Sequence, residues 1–424
     1  MLTDRYDNHL TTQSSSARDA YISGTDAILS ASAGAEECLN QAIFADDGFA
    51  LAHTALARSY HISARGADAA KSIARARELV AGISDREKGH VAMMGHLIDG
   101  DGPSAYVAAR RHLREFPRDA VVAQPLTGVF GLIGFSGIAG REAEQLDFLA
   151  RLAQNYGDDW WFSSVYAFAQ IEAGQMDRAL KTIEISLKGN PRSAHGAHIR
   201  AHIHYERGET ETGFRYLKKW RTGYDKRGAL HCHISWHVAL WALESGDVAG
   251  AWRVIDDAVR PGAAWGPPLN VLTDTASFMH RAALLGETIQ PARWTEIAEF
   301  AQRIFPNPGL AFADLHAALA HAMAGDADAL EKIIANPTGP AGDVVTQAAQ
   351  AFGAFARQEW AQVIEFLTPI MAEHERFGGS RAQRDLIEFT MVAALLKAGR
   401  ADDAHLMLKT RRPNKVTANP VAGL

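Results

Sequence analysis

Six short turns built to one pattern constrain this chain more than any other feature. In each, an apolar stretch ends near a glycine, polar or acidic residues follow, and a new amphipathic stretch begins. They are Ala173-Gly174-Gln175-Met176-Asp177, Arg207-Gly208-Glu209-Thr210, Ser245-Gly246-Asp247-Val248, Leu285-Gly286-Glu287-Thr288, Ala324-Gly325-Asp326-Ala327 and Ala398-Gly399-Arg400-Ala401. Glycine supplies the left-handed residue that ends a helix, and an acid or Thr suits the first turn of the next. Each therefore reads as a tight helix–helix turn. Between the turns, apolar residues recur at three- and four-residue spacing and alternating β-branched runs are scarce, so the expectation is an all-α chain.

Gly174, Gly208, Gly246, Gly286 and Gly325 are separated by 34, 38, 40 and 39 residues. That is the size of one helix–turn–helix unit, and a tetratricopeptide-type repeat averages ~34 residues. The expected fold is a right-handed α-solenoid of tetratricopeptide-type helix pairs, nine to ten of them, in a single superhelical array. An array also explains how 424 residues avoid division into two or three domains, because its core grows in one direction only. The small residues of Ala35 to Ile43 and Ala50 to Ala57 suit repeat packing, and Phe116-Pro117, Asn190-Pro191 and Phe305-Pro306 sit where one repeat gives way to the next. Residues 1–410 are expected to form the solenoid, and 411–424 a loosely packed basic tail.

Composition excludes several function classes. With 43 Lys+Arg against 49 Asp+Glu, a formal charge of −6 and no basic block before the last residues, nothing marks a nucleic-acid or anionic-membrane surface. The N-terminus carries Asp4 and Asp7 where a secretory signal needs an apolar core, and no apolar run approaches the ~18 residues of a membrane span. Two cysteines, Cys38 and Cys232, make no disulfide framework, which fits a reducing, cytoplasmic setting. Gly-x-Ser-x-Gly, phosphate-loop and dinucleotide motifs are absent.

Chemistry concentrates in histidine. Of 18 histidines, seven fall in Ala194 to Glu206 and His231 to His237. On a helix His198, His202 and Glu206 share one face, as do His233 and His237, while His204 and His231 point elsewhere. His198 to His233 and His202 to His237 are each 35 residues, one repeat length, so the pairs should lie side by side on the first helices of adjacent repeats. Continuing by about 40 residues, a repeat's stride, reaches Asp274, then Asp314 and His316. The expectation is a His/Asp-rich concave pocket with His198, His202, His233, His237 and Asp274 as candidate catalytic residues. The four histidines double as candidate ligands for a divalent metal ion. The His-x-x-x-His pairs lack the Glu that marks a metalloprotease helix, and histidines satisfied within the helix seam are the competing explanation.

Further candidates frame this row. Gly378-Gly379-Ser380 ahead of Gln383 and Asp385 suits either an anion-holding helix N-terminus or a plain capping box, and Trp161 and Trp236 could wall a ligand or simply pack the core. Glu206, Asp314, His316, Ser380, Gln383 and Asp385 join them as candidate substrate-binding residues.

The motifs, in order, are His198-Ile-Arg-Ala-His202 with Glu206, Cys232-His233-Ile-Ser-Trp236-His237, Asp274, Asp314-Leu-His316, and Gly379-Ser380 through Gln383-Arg384-Asp385. Together they resemble the tetratricopeptide repeat protein 38 family over residues 10–410. The resemblance implies a stand-alone helical-repeat fold and no established reaction. Where the family pattern has Tyr before the Trp, this chain has Ser235, which keeps both histidines and removes a phenol. Two functions follow as expectations. The first is an enzyme or small-molecule binder, hydrolase or lyase, using acid–base or metal-assisted chemistry on a small polar substrate. The second is a non-catalytic scaffold holding a peptide or protein partner in the groove; self-association into a homo-oligomer stays open under both.

Overall fold

The computed structural model describes residues 1–418 and 420–424. Among these residues it holds 22 α-helices, and its strands are a small N-terminal hairpin, Leu2–Thr3 paired antiparallel with His9–Leu10. The chain is an all-α solenoid. Its helices form eleven consecutive pairs, from Ser15–Ser30 with Ala35–Ala45 to Arg381–Lys397 with Ala401–Arg411. All six turn glycines adopt positive φ, between 70° and 97°. The count exceeds the nine or ten pairs read from the turns because early turns hide their period: Ala31 and Ala64 take the left-handed position at φ 55° and 56°.

The two helices of a pair differ in what they bury. Second helices are amphipathic; Thr210–Arg221 buries only Gly213 and Leu217. First helices in the middle of the chain are buried all round, His231–Glu244 from Cys232 through Leu243 and Pro268–Leu284 from Asn270 through Ala282. A helix buried on every side must also be covered on its concave face, and the cover is the chain's own last repeat. Arg381–Lys397, buried from Ala382 through Leu395, packs on Pro268–Leu284 and reaches Ala194–Glu206. Side chains from the middle of the chain lock this closure. Arg141 donates to the carbonyls of Gly379 and Glu375, each at 2.6 Å, and Arg384 donates to Gly379 at 2.7 Å while pairing with Glu142. The groove is closed.

The C-terminal segment departs from expectation. It does not hang loosely: Arg412 and Lys415 are only 6% and 2% exposed. Arg412 donates to Glu206 at 2.8 Å and to Asp385 at 2.9 Å, and the Lys415 ammonium lies 3.6 Å from Glu244. Ala422 N–H donates to the Leu284 carbonyl at 2.8 Å, and Val421 is buried. These basic residues fold inward because carboxylates wait at the C-terminal ends of the inner helices, and a buried charge is tolerated only when paired. No helix among the described residues is long and apolar enough to cross a membrane.

Glu206 makes this pairing measurable. Burial pushes its carboxyl up, but the guanidinium of Arg412, helped by Arg381, outweighs burial and holds it at about 2, below its ordinary 4.5. A folded value below the unfolded one stabilises the fold fully above the unfolded value, and the contribution fades as pH falls from there through about 2. Glu206→Gln should lower the unfolding free energy by about 3 kcal/mol near neutral pH. The gap from wild type should close as urea titrations are repeated between about pH 5 and about pH 2; a gap that ignores pH would assign the loss to packing instead.

Candidate metal centre

The helix Ala194–Glu206 begins where Ser193 accepts the Gly196 N–H at 3.1 Å, and this start sets the rotation that turns His198 and His202 toward the next repeat. Gly196 packs closely on the preceding helix Met176–Gly189, where a Cβ would meet the Leu187 side chain at 3.0 Å. The neighbouring helix His231–Glu244 presents His233 and His237, and Pro268–Leu284 presents Asp274. The one-repeat phase seen in the sequence is realised as contact. His198 Nε2 lies 2.9 Å from His202 Nε2 and 3.2 Å from His237 Nε2, and the His198 and His233 ring centroids are 4.8 Å apart. One nitrogen from each of the four rings falls within 4.8 Å of the others.

Supporting residues fix the rings. Both oxygens of Asp274 sit 3.0 Å from His233 Nδ1, so that nitrogen donates and the Nε2 lone pair is left facing the cluster. The Cys232 thiol donates to Asp274 at 3.8 Å. Trp236 stacks on His233 at 5.1 Å with 15° between planes, and Phe168 closes the other side, 5.1 Å from His202. The four imidazoles are 0–5% exposed. Burial, and then the neighbouring imidazoles, push His198 and His237 well below the usual histidine range, and burial pushes His202 down to about 3. Burial likewise raises Asp274, with His233 opposing it. At neutral pH the lowered rings are uncharged.

Uncharged imidazoles facing one another are poor company without a shared cation. An N–H split between two acceptors makes two weak, bent hydrogen bonds, whereas a metal ion takes one lone pair from each ring. Metal–nitrogen bonds of about 2.0–2.1 Å place the nitrogens of a tetrahedron about 3.3 Å apart; the two separations from His198 are 2.9 and 3.2 Å, and the whole set lies within 4.8 Å. A carboxylate on the far nitrogen of a ligating histidine is the usual second support of such a site, and Asp274 provides it.

The other sequence candidates lie elsewhere. Asp314 accepts the Gly309 N–H at 3.0 Å at the start of Ala311–Ala324, and burial raises its carboxyl to about 6. His316 donates from Nδ1 to the Phe312 carbonyl at 2.7 Å. Ser380 and Gln383 form a capping box. Glu206 and Asp385 pair with Arg412, and Asp385 also accepts the Tyr205 hydroxyl at 2.6 Å. Trp161 packs on Tyr6, Tyr156 and Phe162 in the N-terminal core, whereas Trp236 does face the histidines. Sequence reading missed Phe168, Tyr205, Arg281, Arg412 and Lys415. A signal existed for Tyr205, which stands three residues beyond His202 on its helix. Two surface cavities, about 680 Å³ beside Glu172 and Arg381 and about 250 Å³ beside Lys218 and Arg253, include none of the four histidines.

No protein-family model matches the chain. It is 39% identical over 59 residues to a TPR repeat-containing protein of Methanocaldococcus jannaschii, a match that covers 14% of this chain and 10% of that protein. The chain thus spans about a tenth of the relative's length. Among solved structures it aligns along 94% of its length, and 58% of the other chain, with the structure of Naa15/Naa10 bound to HypK-THB, at 12% identity and a TM-score of 0.25, too loose to bear on function. The eleven helix pairs and the local match make this a TPR-like helical-repeat chain.

Asp274→Asn tests the support. It should leave helicity intact and weaken metal affinity by about 10- to 100-fold in competition against a chelating indicator; unchanged affinity would remove Asp274 from the site.

Proposed function

We propose that this chain is a metal-binding helical-repeat protein in which His198, His202, His233 and His237 together hold one divalent first-row transition metal. The observation that carries the reading is the meeting of four imidazole nitrogens, one of them backed by Asp274. Imidazole donors favour zinc, copper, iron or nickel over magnesium or calcium. The resemblance to the tetratricopeptide repeat protein 38 family belongs to this proposal, since its motif histidines are the four ligands.

Four protein ligands in a buried site describe a closed centre, which is the structural type; a catalytic centre keeps a position for water or substrate. The metal here would clamp two adjacent inner helices, Ala194–Glu206 and His231–Glu244, at the level where the concave wall is polar. Metal-assisted hydrolysis or elimination would require the metal to accept a ligand beyond the imidazoles, and the low exposure of the rings favours the clamp. A reducing compartment would keep Cys232 as the thiol that donates to Asp274.

The test is elemental analysis of protein prepared without a histidine tag, wild type beside His198→Ala and His237→Ala. About one metal per chain in wild type and almost none in either variant is the expected result, with a thermal midpoint that rises on metal addition only in wild type. A metal-free wild type that takes up no zinc, copper, iron or nickel would sink the reading.

A further inference from the structure

We propose that the C-terminal segment is a latch that gates the metal centre, held in place by charge and released when that charge pairing is lost. The proposal rests on the metal reading for what is gated, and on independent contacts for the latch itself.

The polar face of the inner helices does not stop at the histidines. On Ala194–Glu206 it runs from His198 and His202 to Tyr205 and Glu206; on His231–Glu244 from His233 and His237 to Trp241 and Glu244; on Pro268–Leu284 from Asp274 to Arg281. These residues form one buried column. From the imidazoles to its end the steps are short: His237 to Trp241 ring centroids 6.3 Å, Trp241 to Tyr205 6.5 Å, and the Lys415 ammonium 3.3 Å over the Tyr205 ring. One aromatic layer separates the histidines from the C-terminal segment.

Other walls of the centre are built into repeats. Asp274 and Cys232, whose Sγ lies 3.8 Å from both Asp274 and the Val259 carbonyl, close the far end, and Phe168 and Trp236 close the sides. Among the described residues, the segment from Arg412 onward is the wall that lies outside the helix pairs. Its grip comes from Arg412 on Glu206 and Asp385, Asn414 Nδ2 donating to the Glu206 carbonyl at 2.7 Å, Lys415 beside Glu244, the Ala422 N–H on the Leu284 carbonyl, and the burial of Val421. That grip is incomplete. The Lys415 ammonium and one Glu244 oxygen are buried without a hydrogen-bond partner, while Glu244 keeps Arg281 at 3.0 Å whether or not Lys415 is present. A chain terminus held by a few imperfect pairs opens more readily than a helix tied at both ends. Its opening uncovers Tyr205 and Trp241, the layer over the histidines.

The test uses the full chain as wild type, Lys415→Met and Val421→Asp. Lys415→Met keeps the stem's bulk and leaves Glu244 with Arg281; Val421→Asp loosens the end of the segment without touching a carboxylate of the column. Each is loaded with zinc and then challenged with excess EDTA, with zinc followed by elemental analysis. Equal starting content and release faster by about tenfold or more in both variants is the expected result. In parallel, metal-stripped samples are treated with diethyl pyrocarbonate, and modification of His202 and His237 is followed by mass spectrometry; it should also quicken in both variants. Wild-type protein that binds no zinc would defeat the zinc form of the metal reading and leave the labelling rates as the test of the latch. Labelling and release rates no faster than wild type in folded Lys415→Met and folded Val421→Asp would overturn the latch while leaving the metal reading intact.

Discussion

The cost of burying a polar group without a partner governs the middle of this molecule. Its inner helices are covered on both faces, so each polar side chain on the concave wall has lost water and must find another group. The carboxylates find cations: Glu206 and Asp385 take Arg412, Glu244 takes Arg281, and Glu172 and Glu142 take Arg384. Two of these three cations, Arg384 and Arg412, come from the last repeat and the segment after it, far along the chain from Glu142, Glu172 and Glu206. Closure of the solenoid onto its last repeat and the pairing of its buried charges are thus one event. Removing the terminal segment would leave the wall short of positive charge as well as uncovered.

The histidines stand out within that scheme because most of their nitrogens have no such external partner. His233 is tied to Asp274, but the Nδ1 atoms of His202 and His237 are buried without a protein partner, and the Nε2 atoms meet one another. The Nε2 contacts can share N–H protons between rings, and the same gathering of ring nitrogens could hold a cation. The rings are also held rigidly, between Phe168 and Trp236 and on helices whose other faces are packed. They therefore cannot relieve the contact by rotating out to solvent.

Much of this was legible in the sequence, and the limits are physical. Glycine turns revealed the repeat because only a left-handed residue ends these helices so sharply, and the period blurred where Ala31 and Ala64 accept that conformation. Two i, i+4 histidine pairs one repeat apart predicted their own meeting, because neighbouring first helices run side by side. The same stride failed to bring in Asp314, which falls in the first turn of its helix and serves a loop N–H, whereas Asp274 falls two turns in. Trp161 looked in phase, yet its ring belongs to the N-terminal core. Closure was illegible, since it depends on contacts such as Arg141 with Gly379 that no local pattern encodes. For the same reason the basic end of the chain read as solvent-facing when its charges were destined for buried carboxylates.

Why histidine, where aspartate or glutamate would also ligate a metal, follows from the order in which such a protein must assemble. A cluster of four carboxylates in this layer would repel itself before any metal arrived, and the repeats could not close around it without several extra cations. Imidazole avoids this because its neutral form is both cheap to bury and competent to ligate. Burial that pushes His198, His202 and His237 down keeps those lone pairs free across the neutral range. Here the rings are already gathered, so an ion held among them would not have to organise an unfolded segment as it does in small zinc domains. The single carboxylate retained, Asp274, sits outside the ring of histidines, where it orients His233 and would offset part of the charge of a bound ion.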